Sequence, residues 1–465
     1  MARLFPFRGA ELILKGFSLV GILVLGCVLG AAIMFFQLPS GEFLAKAFAG
    51  AAAWYQRGRS SLPSHPRDVA ESGVHEVTVD DAQKTSDGFT LYSTTGGAWA
   101  TLIDMRGTVV HRWELPFSHA WPHPPHVANP LADNQIHWFR CHLYPNGDLL
   151  AIYHADGDTP YGYGLVKMDK DSKLLWAYPG RVHHDLDVGE DGTIYTLVQK
   201  LESKPPPGLG FAAAHYIADF LVVLSPEGQE LESIPLVDAF VNSPYALTLF
   251  SSNKFLNPLL NRGGANASPP SKSPPQPTLT GDLLHTNSVK VLNRASAAKF
   301  PLFKAGQVLL SLRNLETLAV VDRSTRSVVW SAQGIWHLQH DAEFLDNGHL
   351  LLYDNRGSMK GTRILEYDPL TQAIPWVYAN DDSMFFFAFF RGNKQRLSNG
   401  NTLILDPDNR RLFEVTRDKD LVWESFCPLP SVPQAQAPGS YPLTGARRYG
   451  ADELTFLKGV ARARP

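Results

Sequence analysis

The chain has 465 residues, 44% hydrophobic and 19% charged, globular material for one large or two medium domains. A formal net charge of -3 with no basic stripe excludes duplex-type nucleic-acid binding, because phosphate contacts need concentrated Lys and Arg. Past the first ~60 residues helical periodicity is scarce, while short Val, Ile, Leu, Thr and Tyr runs alternate with Gly, Asn, Asp and Pro, so the body is predicted to be all-β.

The N-terminal region is expected to be separate from that body. Residues 1–15 read as a cytoplasmic tail and 16–38 as a transmembrane anchor. No charge interrupts Gly16 to Ser40, and GFSLVGILVLGCVLGAAIMFF is long enough to cross a bilayer at about 1.5 Å per residue. Its length favours a retained anchor over a cleaved signal, whose apolar core is usually about 7 to 15 residues. Arg3, Arg8 and Lys15 precede the span, which orients the tail inward and the body toward the periplasm or cell exterior. The lipid bilayer is thus an expected partner, with 39–72 as a juxtamembrane linker. Cys27 falls in the span. Cys141 and Cys427 are the pair left to an exported domain, where a disulfide is chemically permitted, but they fall in different repeats.

From residue 73 to 430 one unit recurs six times: a Gly-centred turn between apolar strands, at Gly88, Gly147, Gly192, Gly306, Gly348 and Gly400. The copy after His340 reads HDAEFL, a turn, HLLLYDN, a break, TRILEYD, a second turn, then AIPWVYA. Four short strands in ~40 residues are one propeller blade, so six copies predict a six-bladed β-propeller. Trp113, Trp176, Trp330, Trp376 and Trp423 end the fourth strand in five copies, where a large amphipathic ring suits packing between blades. The third copy lacks this tryptophan. Residues 237–281 follow it as an insertion, opening with a short helical DAFVNSPYALTLF and turning Pro/Ser-rich. Residues 431–465 read as a C-terminal extension.

A Gly turn reverses the chain, so residues opening a first strand and closing a second meet at one mouth of the central channel. First-strand starts bring Arg140 and His142, then His183, His184 and Asp185, then His285, Asn287 and Ser288, then His340 and Asp341. Second-strand ends add Tyr153 and His154, Ser311 and Arg313, and Asp354 and Asn355. Imidazoles, a guanidinium and carboxamides with few acids suit an oxyanion bearing three terminal oxygens. One imidazole is also a candidate nucleophile. A sulfuryl or phosphoryl group is the natural substrate fragment. Asp185 and Asp341 are open to two readings, orienting the imidazoles beside them or capping turns.

At HHDLDVGEDG, LHTNSVKVL with LLSLRN and VVDRSTRSVVW, LQHDAEFLDNGHLLLYDN and QRLSNGNTLI, the sequence resembles the arylsulfate sulfotransferases, over about Gln135 to Phe426. These are six-bladed propellers that move a sulfuryl group between phenols without a nucleotide donor. The resemblance implies an enzyme that takes an aryl sulfate donor and a phenolic acceptor and needs no cofactor. It puts the transiently sulfated histidine on His340, further catalytic residues on His184, His285 and Arg313, and sulfuryl contacts on Asn287. Ser288, Ser311 and Asn355 complete the expected substrate-binding set. The large N-terminal β-domain of the best-known bacterial members is replaced here by the anchor, and the oligomeric state is left open. Between His285 and Arg313, NRASAAKFPLFKAGQ lengthens the first hairpin of its blade.

Two rival readings start from the same residues. One is a binding or scaffolding propeller without turnover, since propellers host many unrelated roles. The other is a metal-dependent propeller hydrolase built on the histidines. Against it, Asp185 and Asp341 directly follow histidines along a strand, so their side chains alternate to the opposite face, and no metal ligand is assigned. HAWPHPPH, His119 to His126, reads as a rim loop with a weak metal option, and MFFFAFFRG from Met384 as an apolar connection at the same mouth.

Overall fold

The structure is a computed structural model that describes residues 76–204, 216–251, 281–358, 361–379, 387–388, 390–428 and 442–458, together with Gly26. The expected anchor over 16–38 lies outside these residues apart from Gly26, as do the tail and the whole linker. No helix among the described residues is long and apolar enough to cross a membrane.

The strands form six antiparallel sheets, each a blade of a propeller. Blade 2 runs Ile136–Leu143, Leu149–Ala155, Gly162–Met168 and Leu174–Tyr178 from first strand to fourth. Blades 3, 4, 5 and 6 repeat this order from Val182–Val188, Thr286–Val291, His340–Phe344 and Asn393–Arg396.

Blade 1 departs from the simple repeat. Its first strand is Leu443–Tyr449, from the segment expected to be an extension, which pairs with Phe89–Thr94 in the register Phe89↔Tyr449 to Thr94↔Leu443. The strand that precedes Gly88 in the chain, Glu76–Asp80, instead adds a fifth strand to blade 6 beside Leu421–Phe426. The two ends of the body thus interlock across one seam, leaving no open sheet edge there. The propeller therefore extends to Tyr449, past the expected boundary at 430.

Alternation builds the core. Residues along each second strand point by turns to the two neighbouring blades, which demands apolar side chains on both faces. In blade 4, Leu310 and Leu312 join blade 3 residues Leu221 and Val223, while Leu309 joins blade 5 residues Leu350 and Leu352. All six seams carry such a cluster.

The tryptophans do pack between blades, with a polar addition. Trp113 Nε1 donates to Gly147 O, Trp176 to Pro226 O, Trp376 to Arg417 O and Trp423 to Met105 O, at 2.8–3.1 Å, each reaching a turn of the next blade. Trp330 lies edge-on to Phe303 in the cluster joining blades 4 and 5. In blade 3, register places Glu232 opposite Val223, just as Trp176 sits opposite Lys167 in blade 2. Glu232 reaches the next blade through Arg323 at 2.8 Å and Arg326 at 3.1 Å, so one seam is closed by ions instead of an indole.

The insertion begins with a helix, Leu236–Val241, and a 3-10 turn, Ala246–Ser251. The lengthened hairpin holds another short helix, Arg294–Ala297, capped by Asn293 Oδ1, which accepts from Ser296 N. Its Lys299 carbonyl packs on Gly348, where φ is +92° and a Cβ would sit 2.4 Å from that oxygen, so only glycine fits the turn. Cys141 and Cys427 are both free thiols, and no bridge forms.

Candidate active site

Backbone pairing sets the site before any side chain does. His340 opens the first strand of blade 5 opposite Tyr353, and Arg313 N donates to His285 O at 3.2 Å across the hairpin of blade 4. His184, His285 and Asp341 adopt left-handed φ of +57°, +49° and +48°, breaking strand alternation where the imidazoles turn away from the ladder. The result brings His184 and His285 ring centroids within 4.8 Å. His340 is near enough for Arg313 and His285 to act on its titration.

His340 is buried and its protonation is dictated by its surroundings. Nδ1 lies 2.7 Å from Asn355 Oδ1 and 3.0 Å from Leu338 O. The Asn355 amide nitrogen donates to Arg391 O at 2.7 Å and Ala388 O at 3.1 Å, which fixes the amide so that Oδ1 faces the ring. Both neighbours of Nδ1 are therefore acceptors; the proton sits on Nδ1 and the lone pair on Nε2. Burial, aided by the Arg313 charge, pushes the imidazole down to about 3, so it is neutral at working pH.

His184 belongs to a relay. Its Nδ1 is 2.8 Å from His183 Nδ1, and His183 Nε2 faces Asp219 Oδ1 at 3.7 Å. One ring of the His183–His184 pair donates to the other through Nδ1, and neither His183 Nε2 nor Asp219 Oδ1 has a hydrogen-bond partner among the described residues. Burial holds both imidazoles well below the usual range, with the His285 charge the next cause. His285 Nδ1 donates to Asp282 Oδ2 at 2.5 Å, which orients the ring.

Arg313 is a buried cation, 6% exposed, whose Nε has no hydrogen-bond partner and which makes no ion pair among the described residues. Nη1 makes one long bond to Asn314 Oδ1 at 3.3 Å, and the Phe390 ring lies 5.3 Å from its guanidinium carbon. Burial lowers its pKa, with Asp282 opposing. A guanidinium left underused in a dry site fits an anionic ligand.

The other expected site residues lie beside this group but serve the backbone. Asn287 Nδ2 donates to Gln339 O at 2.8 Å, tying blade 4 to the residue before His340. Ser288 Oγ accepts from Ala342 N at 3.1 Å, and Ser311 Oγ accepts from Gln339 Nε2 at 3.2 Å. All three place the strand that carries the nucleophile candidate. Asp185 and Asp341 neither orient imidazoles nor cap turns. They pair with Arg140, Lys290 and Lys394 deeper in the channel, Asp185 with Lys290 at 2.5 Å and Asp341 with Lys394 at 3.3 Å. Arg140 and His142 line that charged cavity and are thereby removed from the imidazole group.

Three participants had no clear signal in the repeat. Tyr161, from a connection, places its ring 5.3 Å from His184 and 6.1 Å from His285, accepting from Gln199 Nε2 at 2.9 Å. Asp282 precedes His285 by one turn of irregular chain, an Asp-x-x-His spacing that sequence alone offers as a hint. The connection after blade 5 supplies Phe390 and the carbonyls that hold Asn355, and Gly392 admits it where a Cβ would meet the Tyr353 ring at 2.2 Å. From the rim loop, His126 Nε2 pairs with Tyr163 O at 2.8 Å, its ring packed edge-on to Phe117 and Trp121.

Comparisons with known proteins agree with this picture at the level of family. Solved structures that resemble the chain are distant from it. A protein of unknown function from Bacteroides caccae is 12% identical, covering 73% of this chain and 93% of its own, with a TM-score of 0.44. A streptogramin B lyase is 10% identical over 79% and 85%, with a TM-score of 0.40, and the virginiamycin B lyase of Staphylococcus aureus is 8% identical over 77% and 89%, at 0.37. At these scores the likenesses carry no argument about function. No curated protein matches the chain. The family described as Arylsulfotransferase (ASST) matches residues 140–427, well over half of the sequence and all of blades 3 to 6 but for the added outer strand Glu76–Asp80, and the chain belongs to that family.

Proposed function

We propose that the protein transfers a sulfuryl group from an aryl sulfate to a phenolic acceptor in two steps through a sulfated His340. The observation that carries this reading is the fixed Nδ1 proton of His340, which leaves a neutral Nε2 lone pair beside a buried, underused arginine.

In the first step Nε2 attacks sulfur, the N–S bond forms as the S–O(aryl) bond breaks, and a phenolate leaves. Sulfuryl transfer, like phosphoryl transfer, is expected to pass through a loose transition state, so fixed charges do most of the work. Arg313 and His285 hold the sulfuryl oxygens. In the second step His184 Nε2 takes the acceptor's phenolic proton, the oxygen attacks sulfur, and the N–S bond breaks to restore His340. Tyr161 and Phe139, whose ring is 5.3 Å from His184, offer flat walls to the aryl groups.

The same reading places the enzyme on a membrane, anchored through residues 16–38 with the propeller in the periplasm or outside the cell, on the strength of the uncharged span and the preceding Arg3, Arg8 and Lys15. Incubation with 4-nitrophenyl sulfate and phenol tests the chemistry. Nitrophenolate release, phenyl sulfate formation and a sulfuryl adduct on the His340 peptide by mass spectrometry are expected. Turnover unchanged in His340→Asn moves the nucleophile elsewhere, and no turnover with any aryl sulfate favours a scaffold.

A further inference from the structure

A second group of side chains lies next to the imidazoles just described, and nothing in the sulfuryl reaction uses it. His137, on the first strand of blade 2, pairs in register with His154 on the second, and their ring centroids are 5.2 Å apart. Both are buried, at 2% and 6% exposure. His137 Nε2 and His154 Nδ1 have no hydrogen-bond partner among the described residues, an unfavourable state for buried ring nitrogens. Asp156 follows two residues on and brings Oδ1 to 3.4 Å from His154 Nδ1. One ligand atom from each residue falls within 4.8 Å of the other two.

The chemistry of the set is specific. Two imidazoles and one carboxylate suit a borderline divalent ion such as Zn²⁺ or Co²⁺, and suit Mg²⁺ or Ca²⁺ poorly. Arg391 Nη2 binds the other oxygen, Oδ2, at 2.9 Å, which orients Oδ1 toward the imidazoles as an outer partner orients a metal ligand. The Arg391 charge also opposes a cation, so binding is reversible and not of the tightness of a structural zinc centre.

We propose that His137, His154 and Asp156 form a binding site for a divalent cation of the zinc class, with three protein ligands and an open fourth position. The site shares a wall with the sulfuryl chamber, since the His154 ring lies 4.8 Å from Tyr161 and 6.3 Å from His184. It is independent of His340 chemistry and stands whether or not the sulfuryl reading does.

The test uses the full chain, stripped with a chelator and titrated with Co²⁺. One ion per chain with the intense visible absorption of a four-coordinate centre is expected, displaced by Zn²⁺, together with a rise in unfolding temperature on Zn²⁺ addition. His137→Gln and Asp156→Asn should each weaken Co²⁺ binding at least tenfold and remove the Zn²⁺-dependent rise. Asp156 is exposed, so Asp156→Asn remains readable if His137→Gln fails to fold. A weak octahedral spectrum in the wild type, or Asp156→Asn with unchanged spectrum and affinity, overturns the site and leaves the two nitrogens bridged by water.

Discussion

His340 Nδ1 lies 2.7 Å from Asn355 Oδ1, and the Asn355 amide nitrogen is committed to the carbonyls of Ala388 and Arg391. A residue 15 positions away thus fixes which ring nitrogen is nucleophilic. Asn355→Ala removes the acceptor and frees the tautomer. The first half-reaction should slow by roughly 10²- to 10⁴-fold, as when other orienting groups behind a catalytic imidazole are lost. Single-turnover release of nitrophenolate measures it; an unchanged rate would mean that Leu338 O alone suffices.

That first half-reaction should also be indifferent to pH across the neutral range. With His340 held at about 3, its lone pair is free at every pH from 5 to 8. A rate that falls on acidification with a midpoint near 6.5 would show that the imidazole titrates normally.

Arg313 carries a stability cost along with its role. A buried guanidinium with an unpartnered Nε and no ion pair among the described residues destabilises the fold, and replacement by an apolar side chain of similar length relieves it. Arg313→Met should raise the unfolding temperature while lowering kcat/KM by about 10²- to 10³-fold. Calorimetry and steady-state assays on the one variant check both signs, and a fall in both would make Arg313 a structural residue.

Acid stability offers an independent check on the buried histidines. His142, in the channel, is pushed down to about 3 by burial with Arg447, Lys290 and Lys167 nearby, as are His137 and His340 by their own surroundings. The unfolded chain binds these protons near pH 6.5 and the folded protein does not, so stability is full above pH 6.5 and is lost as the pH falls toward 3. Asp219 and Asp406 are raised to about 7 by burial and act in the opposite direction, but the histidines outnumber them. His142→Gln should flatten the decline in unfolding temperature between pH 7 and pH 5 relative to wild type.

Closure of the ring makes a sharper stability test. Deleting residues 429–465 removes Leu443–Tyr449, leaves Phe89–Thr94 without its inner partner and exposes Leu91 and Phe89. The truncated chain should fail to give a cooperative unfolding transition. Retention of one would mean that blade 1 closes on another strand.

Much of this was legible in the sequence because a Gly turn and a flanking alternation repeat with the blade. His184, His285 and His340 were readable since each opens the first strand of a different copy, and Arg313 since it closes the second strand of the copy that His285 opens, across the hairpin from it. Leu443–Tyr449 was not, because no Gly turn follows it in the chain; its partner turn is at the far N-terminal side, and only closure in space joins them. Tyr161 and Phe390 come from connections, which carry no period. Asn287, Ser288 and Ser311 were read by type as anion contacts; Asn287 Nδ2 is committed to the Gln339 carbonyl, Ser288 Oγ to Ala342 N and Ser311 Oγ to the Gln339 amide, pairings set by packing that residue type does not reveal.

The ionic seam between blades 3 and 4 gives the molecule a direction of weakness. Four other junctions are latched by an indole on a carbonyl and a fifth by an indole edge-on to Phe303, none of which concentrated salt would loosen, whereas Glu232 with Arg323 and Arg326 is partly hydrated and screened by it. His184 stands on one side of that junction and His285 on the other. The apolar cluster of Leu221, Val223, Leu310 and Leu312 keeps that junction shut, so brine should strip it of no more than about 1 kcal/mol and leave both histidines where they stand.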